Sequence, residues 1–158
     1  MKSVFMKCRV AMIVTLLIVW YGTIFSFSAQ DGETSGSLSF HVAKISAQII
    51  DTVTFGNRTD VQIEELAPKM EFFIRKTAHF MEYAVLGILW FLLLPFTLPK
   101  ISRRNRIAIC IGMVFLSAAG DEFHQTSIPG RYGNIRDVFI DTAGGTAGAI
   151  FCRILRLK

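Results

Sequence analysis

Residues 77–97 read TAHFMEYAVLGILWFLLLPFT, and beyond Glu82 no charged side chain occurs until Lys100. A run of this length and apolarity meets the requirement of about 20 residues for a helix crossing the hydrocarbon core of a bilayer. It shows no period-two alternation, so a helix is expected and not a barrel strand. Further apolar runs cover about residues 10–27, 107–124 and 135–155; the one at 107–124, the third span along the chain, is the shortest, its apolar part ending near Gly120 before a polar extension. The expected fold is an all-α integral membrane protein. Residues 1–158 form a single domain: a small four-helix transmembrane bundle with an outer loop at 28–76 that carries an amphipathic helix.

Composition agrees with that reading. The 158 residues suffice for one domain. Only 18% are charged and 52% are hydrophobic, whereas soluble domains hold about a quarter charged residues. With a mean hydropathy of +0.46, this argues against a water-soluble enzyme. The net charge of +5 raises the question of nucleic acid, and the placement of the charge answers it. Lys2, Lys7, Arg9, Lys100, Arg103, Arg104, Arg106, Arg153, Arg156 and Lys158 fall in the N-terminal tail, the loop after the second span and the C-terminal tail, with no acidic residue among them. All 12 acidic residues and the other seven basic ones occupy the alternate loops and adjoining helix ends. The positive-inside rule then places both termini in the cytoplasm. The basic character reflects topology and contact with anionic lipid, so no nucleic-acid partner is expected. Lys2, Lys7 and Arg9 before an apolar run, with Ser26 and Ser28 after it, also resemble a signal peptide, but the charge alternation holds only if this segment remains as a span.

Within the outer loop, Leu38, Val42, Ile45, Ile49 and Val53 recur at helical spacing, the pattern of an amphipathic helix lying on the membrane surface or capping the bundle. Gly56 and Asn57 end it, Thr59 or Asp60 caps a short turn, and Pro68 suits the first turn of a helix running into the second span. Asn57-Arg58-Thr59 is a weak glycosylation match. Cys8, Cys110 and Cys152 have neither metal-type spacing nor an outer-loop position, and read as inert thiols.

The ionisable residues gather at the outer ends of the spans. His79 and Glu82 open the second, Asp121, Glu122, His124 and Gln125 close the third, and Asp137 and Asp141 open the fourth behind a turn-rich loop with Arg131 and the cap Asn134. An ionisable group inside a span costs a few kcal/mol unless it meets a partner or a polar cavity, so these residues are expected to converge on a pocket. Arg131 or Arg136 is a structural partner for Asp137, and Gly144 with Gly148 fits a small-xxx-small helix seam. The histidines and carboxylates are metal-ligand types, but their spacing matches no known motif, so neither metal nor other cofactor is expected.

Three blocks resemble the VanZ-like family of bacterial membrane proteins. Ser28, Gln30, Asp31, Ser35 and Ser39 are similar to its serine-rich block after the first span. Lys76, His79, Phe80, Glu82, Tyr83, Leu86 and Gly87 are similar to its second-span block. Asp121, Glu122, Gln125, Pro129, Gly130, Arg131, Asp137, Asp141, Gly145 and Gly148 resemble its longest block, with Asp141 at a position where many members carry Asn. The resemblance implies a small helical domain in the bacterial cytoplasmic membrane and, through the family's namesake, lower susceptibility to the glycopeptide teicoplanin. The expected ligand-binding set is Lys76, His79, Glu82, Asp121, Glu122, Gln125, Arg131, Asp137 and Asp141. Two molecular classes follow. A binding module, the preferred one, holds an envelope lipid, wall intermediate or glycopeptide in an outward-facing pocket. A membrane enzyme modifies an envelope lipid or cell-wall intermediate by acid/base chemistry through Glu82, Asp121 or His79. The partners expected are membrane lipids, an anionic envelope lipid, a wall precursor or a glycopeptide, and an oligomer is compatible with either class.

Overall fold

The computed structural model describes residues 2–157, of which Lys2 is placed in a helix by its backbone alone. Lys158, counted above with the C-terminal basic tail, lies outside the described residues. Among the described residues five helices follow one another: α1 (Lys2–Ser28), α2 (Gly32–Val53), α3 (Asp60–Thr97), α4 (Arg103–Gln125) and α5 (Ile135–Ile154). Three stretches among the described residues are long and apolar enough to cross a membrane: Ser3–Ser28, Asp60–Thr97 and Arg103–Gln125. The expected fourth span is a helix, α5, but it does not meet the same measure. Its 20 residues include Arg136, Asp137, Asp141 and Arg153.

The position of α5 accounts for the two aspartates, while Arg136 and Arg153 are exposed at its ends. It packs against both α3 and α4, and Asp137, Val138, Asp141, Gly144, Gly145, Gly148, Ala149 and Cys152 are buried. A helix sheltered by its neighbours need not be apolar all round. The seam with α3 is unusually close. A Cβ at Gly144 would overlap the Phe80 carbonyl, one at Gly148 the Ala84 carbonyl, and one at Gly87 the Gly145 carbonyl. Phe80 with Gly144 and Ala84 with Gly148 ascend together, so α3 and α5 run parallel. On the remaining side Gly145 faces the Val114 side chain of α4. Tyr83, Leu86, Phe91, Val114, Cys110 and Cys152 complete the core, to which α1 adds only a thin stripe of Ile13, Leu17 and Ile24.

Two local expectations are corrected. Pro68 lies inside α3 and not in its first turn, because a capping box starts the helix earlier: the Thr59 hydroxyl accepts from the Gln62 N–H, and the Gln62 side chain accepts from the Thr59 N–H. The resulting helix of 38 residues is about 57 Å long, well beyond a bilayer core. Its first part forms an antiparallel hairpin with α2, so that segment is no short turn. The amphipathic helix is present as α2: Leu38, Val42, Ile45, Ile49 and Val53 of its apolar stripe are exposed, whereas Ala43, Ala47 and Asp51 are buried. Small side chains let α2 approach α3, and ties from Lys44 to Glu64 (2.6 Å) and from Ser39 to Glu71 (2.9 Å) hold the pair. At the start of α2 the Thr34 N–H donates to Asp31, which holds this exposed carboxyl below its ordinary range.

Candidate functional site

The C-terminal ends of α1 and α4, the N-terminal end of α5 and the middle of α3 meet at the end of the bundle away from the chain termini. There a cavity of about 240 Å³ opens between α1, α2, α3 and α4. Ile24, Phe27, Leu38, Val42 and Ile74 make an apolar wall, and His79, Glu82, Asp121, Gln125 and Arg131 supply polar groups. Two of the residues expected on the α2 stripe, Leu38 and Val42, thus line this wall.

The loop before α5 closes one end of the cavity. Arg131 donates to the carbonyls of Phe27 (3.2 Å) and Gln30 (3.4 Å) and to Gln125 Oε1 (2.9 Å), and Gln125 Nε2 donates to Asp121 Oδ2 (3.0 Å). The Gly32 N–H donates to the Pro129 carbonyl (3.0 Å). Gly130, at φ 73°, occupies the left-handed region that glycine enters without strain, and a Cβ on Gly32 would overlap its carbonyl. Arg131 therefore bonds to neutral oxygens and forms no ion pair among the described residues. Arg75, by contrast, is paired with Glu71 and also donates to Ser39 (3.0 Å). Glu82 lines the cavity without a side-chain hydrogen bond or ion pair among the described residues.

Of the nine ligand-binding residues expected from sequence, five line the cavity. Lys76, Glu122, Asp137 and Asp141 form a layer behind it, between α3, α4 and α5. Asp137 is paired with Lys76 and not with Arg131 or Arg136, because the parallel packing of α5 on α3 sets these two residues opposite each other. One turn deeper, His79 Nδ1 lies 3.5 Å from Asp141 Oδ1. That pair is close enough for charge attraction but is not aligned as a hydrogen bond, and both Asp141 oxygens are buried without a partner. Glu122 accepts the Asn134 N–H at 2.7 Å through Oε2, while Oε1 is buried without a partner. His124 is turned away, stacked on Phe25 at 4.7 Å.

Sequence reasoning passed over a polar chain from the first span. Trp20 Nε1 donates to the Glu82 carbonyl (2.9 Å), Tyr21 and Ser117 share a hydrogen bond (2.7 Å), and Trp90 Nε1 donates to the Tyr21 hydroxyl (3.0 Å). These bonds fasten α1 to α3 and α4 beside the cavity. The signal was the presence of Trp20 and Tyr21, aromatic residues with a polar tip, inside an otherwise aliphatic run.

A family model described as VanZ/LLP1 matches residues 13–156, nearly the whole chain. No curated protein and no solved structure matches it.

Proposed function

The chain belongs to the VanZ/LLP1 family, and we propose that it is a multi-pass protein of the bacterial cytoplasmic membrane whose outward-facing cavity binds an anionic envelope lipid, wall intermediate or glycopeptide, lowering teicoplanin susceptibility. In this reading α1, α3, α4 and α5 all cross the bilayer and both termini are cytoplasmic. The sheltering of Asp137 and Asp141 by α3 and α4, with Arg136 and Arg153 exposed at the two ends of α5, supports the fourth crossing. The placement of basic residues supports the orientation. Cysteines introduced at Gly130 and Arg104 are expected to react with an impermeant thiol reagent from outside and from the cytoplasm respectively. The reverse labelling would remove the outward cavity.

One observation carries the ligand class. The cavity joins an apolar wall to a polar end, where the Arg131 guanidinium has no carboxylate partner among the described residues. This is the arrangement that suits an acyl chain bearing an anionic head group. The test compares cells expressing wild type, Glu82→Gln, Asp121→Asn and Arg131→Gln at equal membrane abundance, reading teicoplanin susceptibility beside a mass-spectrometric inventory of envelope lipids and wall precursors. Binding predicts that Arg131→Gln abolishes the protective effect with no change in any mass.

The second reading is a membrane enzyme acting on the same class of molecule, and the unpaired Glu82 carboxylate on the cavity favours it. Such a group is available to accept or donate a proton. That reading predicts a mass change that disappears with the phenotype in Glu82→Gln.

A further inference from the structure

We infer that His79, Glu122 and Asp141 form a binding site for one divalent first-row transition ion beneath the cavity. One potential ligand atom from each residue lies within 4.8 Å of the others, although the three come from α3, α4 and α5. Asp141 is fully buried, and neither of its oxygens has a hydrogen-bond partner among the described residues. Glu122 is 4% exposed with Oε1 unpartnered, and His79 Nδ1 is buried and unpartnered as well. Each of the three residues thus carries a buried ligand-type atom without a hydrogen-bond partner, which calls for a compensating group at this place.

Charge leads to the same conclusion. Two buried carboxylates need compensation; the nearby cation Lys76 is committed to Asp137, and an imidazolium at His79 would answer only one of the two. A divalent ion neutralises both. One ligand pair has the matching spacing: ligands about 2.1 Å from a tetrahedral centre stand roughly 3.4 Å apart, and His79 Nδ1 and Asp141 Oδ1 are separated by 3.5 Å. The Asn134 N–H holds Glu122 by its other oxygen, the kind of outer contact that orients a ligating carboxylate. One imidazole with two carboxylates suits zinc, manganese or ferrous iron. Three protein ligands leave room for water or an oxygen ligand. His79 also lines the cavity, which brings the ion to the edge of the space where a ligand would lie.

The inference does not depend on the ligand reading, because metal content is measured without any lipid or drug. The full chain in lipid nanodiscs, stripped with a chelator, is titrated with Co²⁺ and followed by visible absorption and elemental analysis. The expected result is one equivalent per chain, displaced by Zn²⁺ and raising the unfolding temperature. Asp141→Asn and His79→Gln should each weaken binding by at least about tenfold. A folded wild type that takes up no Co²⁺ at millimolar concentration overturns the inference, as does unchanged binding in Asp141→Asn. If neither variant accumulates, pulsed electron paramagnetic resonance of Mn²⁺ in the wild type decides. One coordinated imidazole nitrogen is expected, and none overturns the site.

Discussion

Replacing Gly148 by leucine is expected to remove folded protein from the membrane, while the same change at Gly112 leaves it intact. At Gly148 a Cβ alone would overlap the carbonyl of Ala84, a backbone atom that no side-chain rotation can move. To admit leucine, α5 must separate from α3, opening the Phe80–Gly144 and Gly87–Gly145 contacts along the same seam. Overpacking a tight core costs about 1–3 kcal/mol and more where backbone must shift. Here it also withdraws dispersion contacts, which are a main force between helices once lipid has replaced water. Gly112 has no atom within 4 Å of a would-be Cβ and is exposed on α4, so leucine there adds apolar surface facing outward. Thermal unfolding of the two variants in the same nanodiscs gives the comparison. Equal stability would mean that the parallel α3–α5 seam is not the contact that holds the bundle.

That seam also shows which parts of the molecule were legible in the sequence. The apolar runs located α1, the second part of α3 and α4 to within a few residues at most ends, because a bilayer imposes length and apolarity directly on the chain, and the run at 135–155 located α5 although that helix is less apolar. Face assignment was less secure. The spacing of Leu38, Val42, Ile45, Ile49 and Val53 gave an amphipathic helix but left open whether it lies on the membrane surface or caps the bundle. In a chain whose surroundings are apolar the protein-facing side is the small one, Ala43 and Ala47, just as glycines face α3 on α5. Pro68 was read as a helix start because its statistics favour the first turn, yet the reciprocal Thr59 and Gln62 bonds outrank a preference of that size. Long-range pairing was beyond reach. The convergence of ionisable groups on one end followed from charge counting, but nothing local to Asp137 points to Lys76, 61 positions away. Nor does any spacing announce a cluster whose three members come from three helices.

Lys76→Met alone is expected to destabilise the bundle by about 3–5 kcal/mol, and Lys76→Met with Asp137→Leu to recover most of that loss. Both side chains of the pair are largely buried, at 18% and 12% exposure. Removing the lysine leaves Asp137 as an uncompensated carboxylate against apolar neighbours, with Asp141 one turn along the same helix adding to the negative charge. Removing both partners takes away the attraction and the desolvation cost together, and fills the space with apolar groups. The single changes and the double change form a cycle whose coupling energy, read from unfolding in nanodiscs, measures the pair itself. A coupling near zero would mean that the pair is solvated and not a strut between α3 and α5. The double variant also separates structure from recognition. Lys76 does not line the cavity and its ammonium is already engaged by Asp137, so a restored double variant is expected to keep both Co²⁺ binding and the teicoplanin phenotype that the proposed function predicts. If stability returns while the phenotype does not, Lys76 or Asp137 contributes to ligand recognition directly, and the recognising surface extends beyond the cavity to the α3–α5 interface.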